Sequence, residues 1–388
     1  MRKVTALIIA LVLFLGTAFG LHVYDKKALA FNNNAFSTWS SQTKFASPDG
    51  ISENINPGTL VVFGSSEFQH GIKTIYHPRS MFKGFYFNPM LIGAAHYQSL
   101  SHAITLAAIS NSIKNKKVVL FVSPTWFRKH GVKNKAFALR FSDSSYIQML
   151  KNRNISKKTK EYIRNRVDTL LKVDKSTLNR VKVYNRVLLD GTGSTLDDIK
   201  YELYKKYLAE RTHQRVVLRA AVAELKHNQN KNLKDRKINW RKYIKRVNVS
   251  SKKYSKTPFY MTPKGYAKLQ AKLKRIKRPL PKAGFGNRKS LEYKDLRCFL
   301  NMCHQLKLKV MIVSLPVNGY WYDYRGFPAY KRGKYYRRLR AVASQYGAEM
   351  TDFSSKEYNK YFFEDALHLS GKGWVMADEA LYKFYKES

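Results

Sequence analysis

The stretch TLVVFGSSEF, residues 59–68, decides the fold. Thr59, Leu60, Val61, Val62 and Phe63 form a β-rich apolar run, and Gly64 breaks it. A small Gly-Ser turn that leaves such a strand and opens a helix exposes a hydroxyl at the carboxyl end of the sheet. Ligands bind there in open α/β folds. A helix N-terminus at that point also favours the negative charge that develops in acyl transfer. Ser65 and Ser66 are therefore candidate nucleophiles.

Outward from this turn, strands and helices alternate. Tyr97, Leu100, Ile104, Ala107, Ala108 and Ile113 recur at helical spacing. Val118–Val122 reads as a second strand, stopped by Ser123 and Pro124, and Lys309–Leu315 as a third, ended by Pro316. A helix is expected over 290–306, a basic helix over Tyr335–Tyr346, a short strand over Ala348–Thr351 and a closing helix over Gly371–Tyr385. This alternation predicts an α/β fold, a parallel sheet with helices on both faces. Residues 140–285 interrupt it with a helix-rich block of different composition. From Lys226 to Arg246 that block carries nine basic residues and one acid, Asp235. It reads either as a solvated basic insertion or as a face that grips polyanions or anionic lipid.

The N-terminus gives the chain a place. After Met1, Arg2 and Lys3 comes an uncharged stretch from Val4 to Leu21, eighteen residues and just enough to span a bilayer. Arg2 and Lys3 on its short side keep the N-terminus in the cytoplasm and export the rest. Ala18, Phe19 and Gly20 make only a weak cleavage site, so an uncleaved anchor is expected rather than a signal peptide. The expected organisation is a membrane anchor over 1–24, a stalk or wrapping segment over 25–58, and a catalytic domain over 59–388 with the basic helical insertion at about 140–285.

Composition limits the partners. The 388 residues include 72 Lys and Arg against 26 Asp and Glu, a formal net charge of +46. With 44% hydrophobic and 14% aromatic residues the chain is no disordered tail. Outside the cytoplasm the available polyanions are phospholipid head groups and teichoic acids rather than nucleic acid. Cys298 and Cys303, five apart in a helical run, point to different faces and read as buried apolar residues. Two cysteines exclude a disulfide scaffold. The ten His show no helical His-x-x-x-His pair, so neither a metal nor another cofactor is expected.

A second chemical motif lies near the C-terminus, where Asp365 stands three residues before His368. Such an Asp can fix the imidazole tautomer and leave the other ring nitrogen as a general base. Standing alone, the pair reads more readily as a capping Asp and a satisfied His.

Together, a strand-end Ser followed far downstream by Asp-x-x-His resembles the SGNH (GDSL-like) hydrolases. The resemblance implies Ser66 as nucleophile, His368 as base and Asp365 as its orienter. Ser65 stands where that family usually has Asp, which keeps both serines in view. The wider pattern is similar to the DltD family of D-alanyl-lipoteichoic acid biosynthesis proteins. It rests on GSSE at 64–67, YHPRSMF at 76–82, QSL at 98–100, SPTWF at 123–127, PVNGYWYDYRG at 316–326 and DALHLSGKGW at 365–374. This resemblance implies a single-pass anchor, an extracellular SGNH-like domain and the placing of D-alanine esters on lipoteichoic acid. It also implies partners, the D-alanyl carrier protein and a membrane-bound O-acyltransferase, beside the anionic membrane surface that the positive charge already suggests. SGNH enzymes add a Gly and an Asn as oxyanion donors beside the nucleophile. Gly93 is a counterpart, and Asn318, after the third strand, stands in for an Asn missing from residues 123–126. Trp126, Tyr320, Trp321 and Tyr322 are candidate cleft residues. The function expected is a serine acyltransferase or esterase; the alternatives are a thioesterase acting on the carrier protein and a non-catalytic scaffold.

Overall fold

Strands Thr59–Phe63 (β1), Asn88–Ile92 (β2), Lys117–Val122 (β3), Lys309–Ser314 (β4) and Glu349–Asp352 (β5) pair in parallel, in the order β2-β1-β3-β4-β5. The computed structural model describes residues 2–227, 233–275 and 284–387, with the backbone alone at 2, 14, 15, 18, 19 and 21–27. Helices cover both faces of the sheet. Val61, Phe63, Val118, Leu120, Val310 and Ile312 join one core with helices Ser99–Ile109, Glu292–Gln305 and Ala329–Gln345. Leu60, Val62, Val119, Phe121, Met311 and Val313 join a second core with Phe68 and helix Gly371–Lys386. Alternate residues of each strand thus point into different cores, which is why these strands read as unbroken apolar runs.

The sequence pattern shows no strand at β2. Asn88 and Pro89 open it, and a proline removes a ladder donor. The sheet tolerates this because β2 is an edge strand that pairs only with β1.

Within residues 25–58, three short helices (Asn34–Thr38, Gln42–Phe45 and Pro48–Ser52) lie on the domain, with Phe31, Phe36, Phe45 and Ile51 buried in the first core. Lys44 is fully buried there, and its Nζ donates to the carbonyls of Phe36, Ser37 and Leu91. Arg2–Ala28 form a helix on which Val4, Leu7, Ile8, Ile9, Leu11, Val12 and Leu13 are exposed. The anchor expected at Val4–Leu21 runs through residues whose side chains fall outside the described ones. Among the described residues no helix is long and apolar enough to cross a membrane.

The block 140–285 is divided between the two faces. Tyr146, Ile163, Val167, Tyr184 and Val216 enter the first core and Val247 the second. Helix Trp240–Ser250 leaves Arg241, Lys242, Lys245 and Arg246 exposed, and Lys234, Arg236 and Lys237 are exposed just before it. Lys231 lies outside the described residues. Cys298 and Cys303 are buried free thiols, and burial pushes both upward, Cys298 to about 12.

Candidate active site

The turn after β1 is held from three sides. Gly64 N donates to Ile92 O across to β2, and His102 Nε2 donates to Gly64 O at 2.8 Å from beneath. Burial pushes His102 down to about 3, so its ring is a neutral donor. Ser65 N donates to the buried Glu67 Oε1 at 2.6 Å, and Ser65 Oγ to Ala94 O at 3.1 Å. Gly93 matters here for space: at φ +149°, a Cβ would stand 1.9 Å from Gly64 O. With Ser65 tied inward, Ser66 opens a 3₁₀ turn over Ser66–Gln69 and points outward.

The second half of the site is a loop closed by an antiparallel bridge between Phe363 and Leu369. Its backbone is clamped by distant residues. Thr262 donates to Glu364 O through both N and Oγ1, and Gly265 comes so close that a Cβ would lie 2.0 Å from that oxygen. Asn318 N donates to Ala366 O at 3.0 Å. The clamp presents His368 to β1: Ser66 Oγ lies 2.9 Å from His368 Nε2, and His368 Nδ1 lies 2.8 Å from Asp365 Oδ2. Asp365 Oδ1 also accepts from Leu367 N and His368 N, each at 2.9 Å. With Nδ1–H given to the carboxylate, Nε2 is left to accept the Ser66 proton.

The local charges suit that assignment. Burial alone would raise the Asp365 carboxyl, but the His368 hydrogen bond and charge outweigh it and hold it near 2. Burial alone would lower His368. The Asp365 hydrogen bond and charge, with Glu67 and Glu364 beyond, raise it instead. Burial raises the Glu67 carboxyl, against the hydrogen bond from Ser65 N.

Ser66 and His368 open into a cavity of about 270 Å³ at the carboxyl ends of β1, β3 and β4. Its other lining includes His96, Gln98, Thr125, Trp126, Arg128 and Lys133. The strand order reverses between β1 and β3, and crevices at such switch points take ligands in open α/β sheets. His70, Asp365 and His368 offer donor atoms that all lie within 4.8 Å of one another. Both nitrogens of His368 are already engaged, so a metal would have to displace Asp365 or Ser66.

Ser66, Asp365, His368 and Trp126 therefore come together. Asn318 does not join them as an oxyanion donor. Its Oδ1 caps helix Gly319–Tyr324 by accepting from Trp321 N, and its Nδ2 donates to Phe259 O. It serves the site through its backbone. Gly93 provides close approach beneath the turn. Tyr320 bonds Tyr358 O, while Trp321 and Tyr322 pack with Met261 and Val317; none of the three lines the cavity. Sequence reasoning missed Gln98, Arg128 and Lys133 as site residues. Gln98 opens QSL at 98–100, and Arg128 directly follows SPTWF at 123–127.

The chain matches the family described as DltD protein over residues 33–386. It is 29% identical to Protein DltD of Bacillus subtilis (strain 168) over 334 residues, 85% of this chain and 83% of that protein. It is 25% identical to Protein DltD of Staphylococcus aureus (strain NCTC 8325 / PS 47) over 300 residues, 76% of this chain and 73% of that one. With Protein DltD of Lacticaseibacillus rhamnosus it shares 24% identity over 353 residues, 87% of this chain and 79% of the other.

Proposed function

The chain belongs to the DltD family, and we propose that it is a membrane-anchored serine acyltransferase that places D-alanine esters on lipoteichoic acid at the outer face of the cell membrane. The carrying observation is the unbroken chain from Ser66 Oγ through His368 to Asp365 at the floor of an open cavity. The SGNH-like reading is consistent with the parallel sheet that presents it.

In the first half-reaction Ser66 Oγ attacks the D-alanyl carbonyl while its proton passes to His368 Nε2. The tetrahedral intermediate collapses, the bond to the donor's heteroatom breaks, and that leaving group takes the proton from His368. An acceptor hydroxyl of the polyol-phosphate chain then gives its proton to His368 and attacks the ester, and Ser66 is restored. Water in the acceptor's place gives hydrolysis at the same site. Gln98, a side-chain amide on the cavity wall, takes the oxyanion role expected of Asn318. Arg128 and Lys133 on the wall face the acceptor's phosphates. The exposed apolar residues of helix Arg2–Ala28 support anchoring, with the D-alanyl carrier protein and a membrane-bound O-acyltransferase as pathway partners.

The test is to trap the acyl-enzyme and locate the modified residue by mass spectrometry. The acyl group is expected on Ser66, and Ser66→Ala at normal expression should abolish cell-wall D-alanine ester. An adduct on another residue, or near-normal ester content in the variant, would sink the assignment.

A further inference from the structure

A second acid–imidazole pair lies against the first. His70 ends the 3₁₀ turn that Ser66 begins, and Glu364 immediately precedes Asp365. The two motifs that supply Ser66, Asp365 and His368 thus each supply one further ionisable group to the same place. The rings of His70 and His368 stack with centroids 3.6 Å apart and planes 3° from parallel. His70 Nδ1 lies at ion-pair distance from Glu364 Oε1, 3.1 Å, without the aligned hydrogen bond that His368 Nδ1 makes to Asp365 Oδ2 at 2.8 Å.

We infer that His70, tethered by Glu364, is a positioning residue that fixes the ring plane of His368. The inference rests on the acyltransfer reading above. The physical reason is a degree of freedom that the triad leaves open. The bond that Nδ1 donates to Asp365 and the one that Nε2 accepts from Ser66 hold the imidazole only by its edge, so coupled swings of χ1 and χ2 still tilt the ring plane. The χ2 torsion of His is broad and supplies little restoring force. A flat plate against one face removes that motion. His70 is itself well held: its N donates to Glu67 O at 3.0 Å, and its carbonyl accepts from Trp374 Nε1 at 3.0 Å. The plate is therefore anchored to the nucleophile's own turn and to the final helix. Small misalignments between base and nucleophile are costly, since proton transfer needs the lone pair aimed at Ser66 Oγ.

The test compares full-length wild type with His70→Ala and His70→Phe. The kinetic readout is the rate of Ser66 acylation by an activated ester. The second, which does not depend on turnover, is the NMR ring-current shift of the His368 ring protons. His70→Ala should lower kcat by about 10- to 100-fold with KM nearly unchanged, and His70→Phe, flat but unable to ionise, should recover to within about threefold. The upfield shift of the His368 protons should vanish in His70→Ala and persist in His70→Phe. Wild-type rate in His70→Ala overturns the inference, and so does a Phe variant as slow as Ala. A wild type that shows the ring-current shift but no Ser66 adduct would instead overturn the acyltransfer reading and leave the stack established. Melting curves check folding. If His70→Ala does not fold, Glu364→Gln, which keeps the ring and frees its tether, reads the same signals. An unchanged rate and shift there would overturn the inference.

Discussion

In the proposed mechanism His368 can act as a base only when neutral, and its surroundings raise it above the ordinary histidine value through Asp365, Glu67 and Glu364 against the opposing effect of burial. Below the raised value the ring is an imidazolium and cannot take the Ser66 proton. The rate of Ser66 acylation should therefore fall about tenfold per pH unit on the acid side, with its midpoint above about 6.5. Asp365→Asn removes the leading stabiliser of the charged ring. It should move that midpoint to lower pH while cutting the plateau rate by at least about 100-fold, because the tautomer is no longer fixed. A pH–rate profile of both proteins on one small ester reads both effects, and a midpoint unmoved in Asp365→Asn would count against the assignment. These residues were legible because each half of the site is local in sequence: GSSE follows β1, and Asp-x-x-His occupies one closed loop. Asn318, Tyr320 and Trp321 were misplaced for the converse reason. All follow a strand end, where site residues belong, but contacts with Phe259, Tyr358 and Met261 turn them away. Those partners come from distant segments whose packing no spacing rule reveals. The stacking of His70 on His368 is likewise a tertiary fact.

At the scale of elements, the four strands read from apolar runs are those whose two faces meet two different cores, or in β5 a short piece beside them. β2 stayed hidden because Pro89 interrupts its pattern, and only its edge position makes that tolerable. Besides its ladder with β1, β2 is held by the segment before β1. Lys44 sits beneath it with no exposed surface and donates 2.8 and 2.9 Å bonds to Ser37 O and Leu91 O, besides Phe36 O. Burial pushes its ammonium well below the ordinary lysine range, yet the three carbonyls give it partners that water would otherwise supply. Lys44→Met keeps the volume and removes all three bonds. It should destabilise the fold by about 2 kcal/mol, since buried acceptors lose a donor without gaining another. Urea melts would show this as a lower midpoint with an unchanged slope. Limited proteolysis should cut residues 29–58 sooner than in wild type. A variant as stable as wild type would mean that apolar packing of Phe31, Phe36 and Phe45 alone fastens the segment.

The charge of +46 belongs to the whole molecule, and it is unevenly placed. Helix Trp240–Ser250 buries Val247 against the final helix and turns its basic residues to solvent. Asp235 beside it is already paired with Lys386, and among the described residues Lys234, Arg236, Lys237, Arg241, Lys242, Lys245 and Arg246 are exposed on this face. A polymer with one phosphate per repeat should meet this face by ion pairing and release of counterions. Affinity for purified lipoteichoic acid should then fall log-linearly with salt, as for other polyanions, and the slope should flatten by about 0.7 to 0.9 for each phosphate no longer neutralised. Neutralising Lys234, Arg236, Lys237, Arg241 and Lys242 together should weaken binding and flatten that slope. Acylation of Ser66 by a small ester should stay as in wild type, because none of the five lines the cavity. The measurement is a titration of full-length protein in neutral detergent at two or more ionic strengths, wild type beside the variant. Equal affinities and equal slopes would show that the polymer is gripped elsewhere. Arg128 and Lys133 at the cavity mouth, tested by the same salt series, would then be the next cations to neutralise.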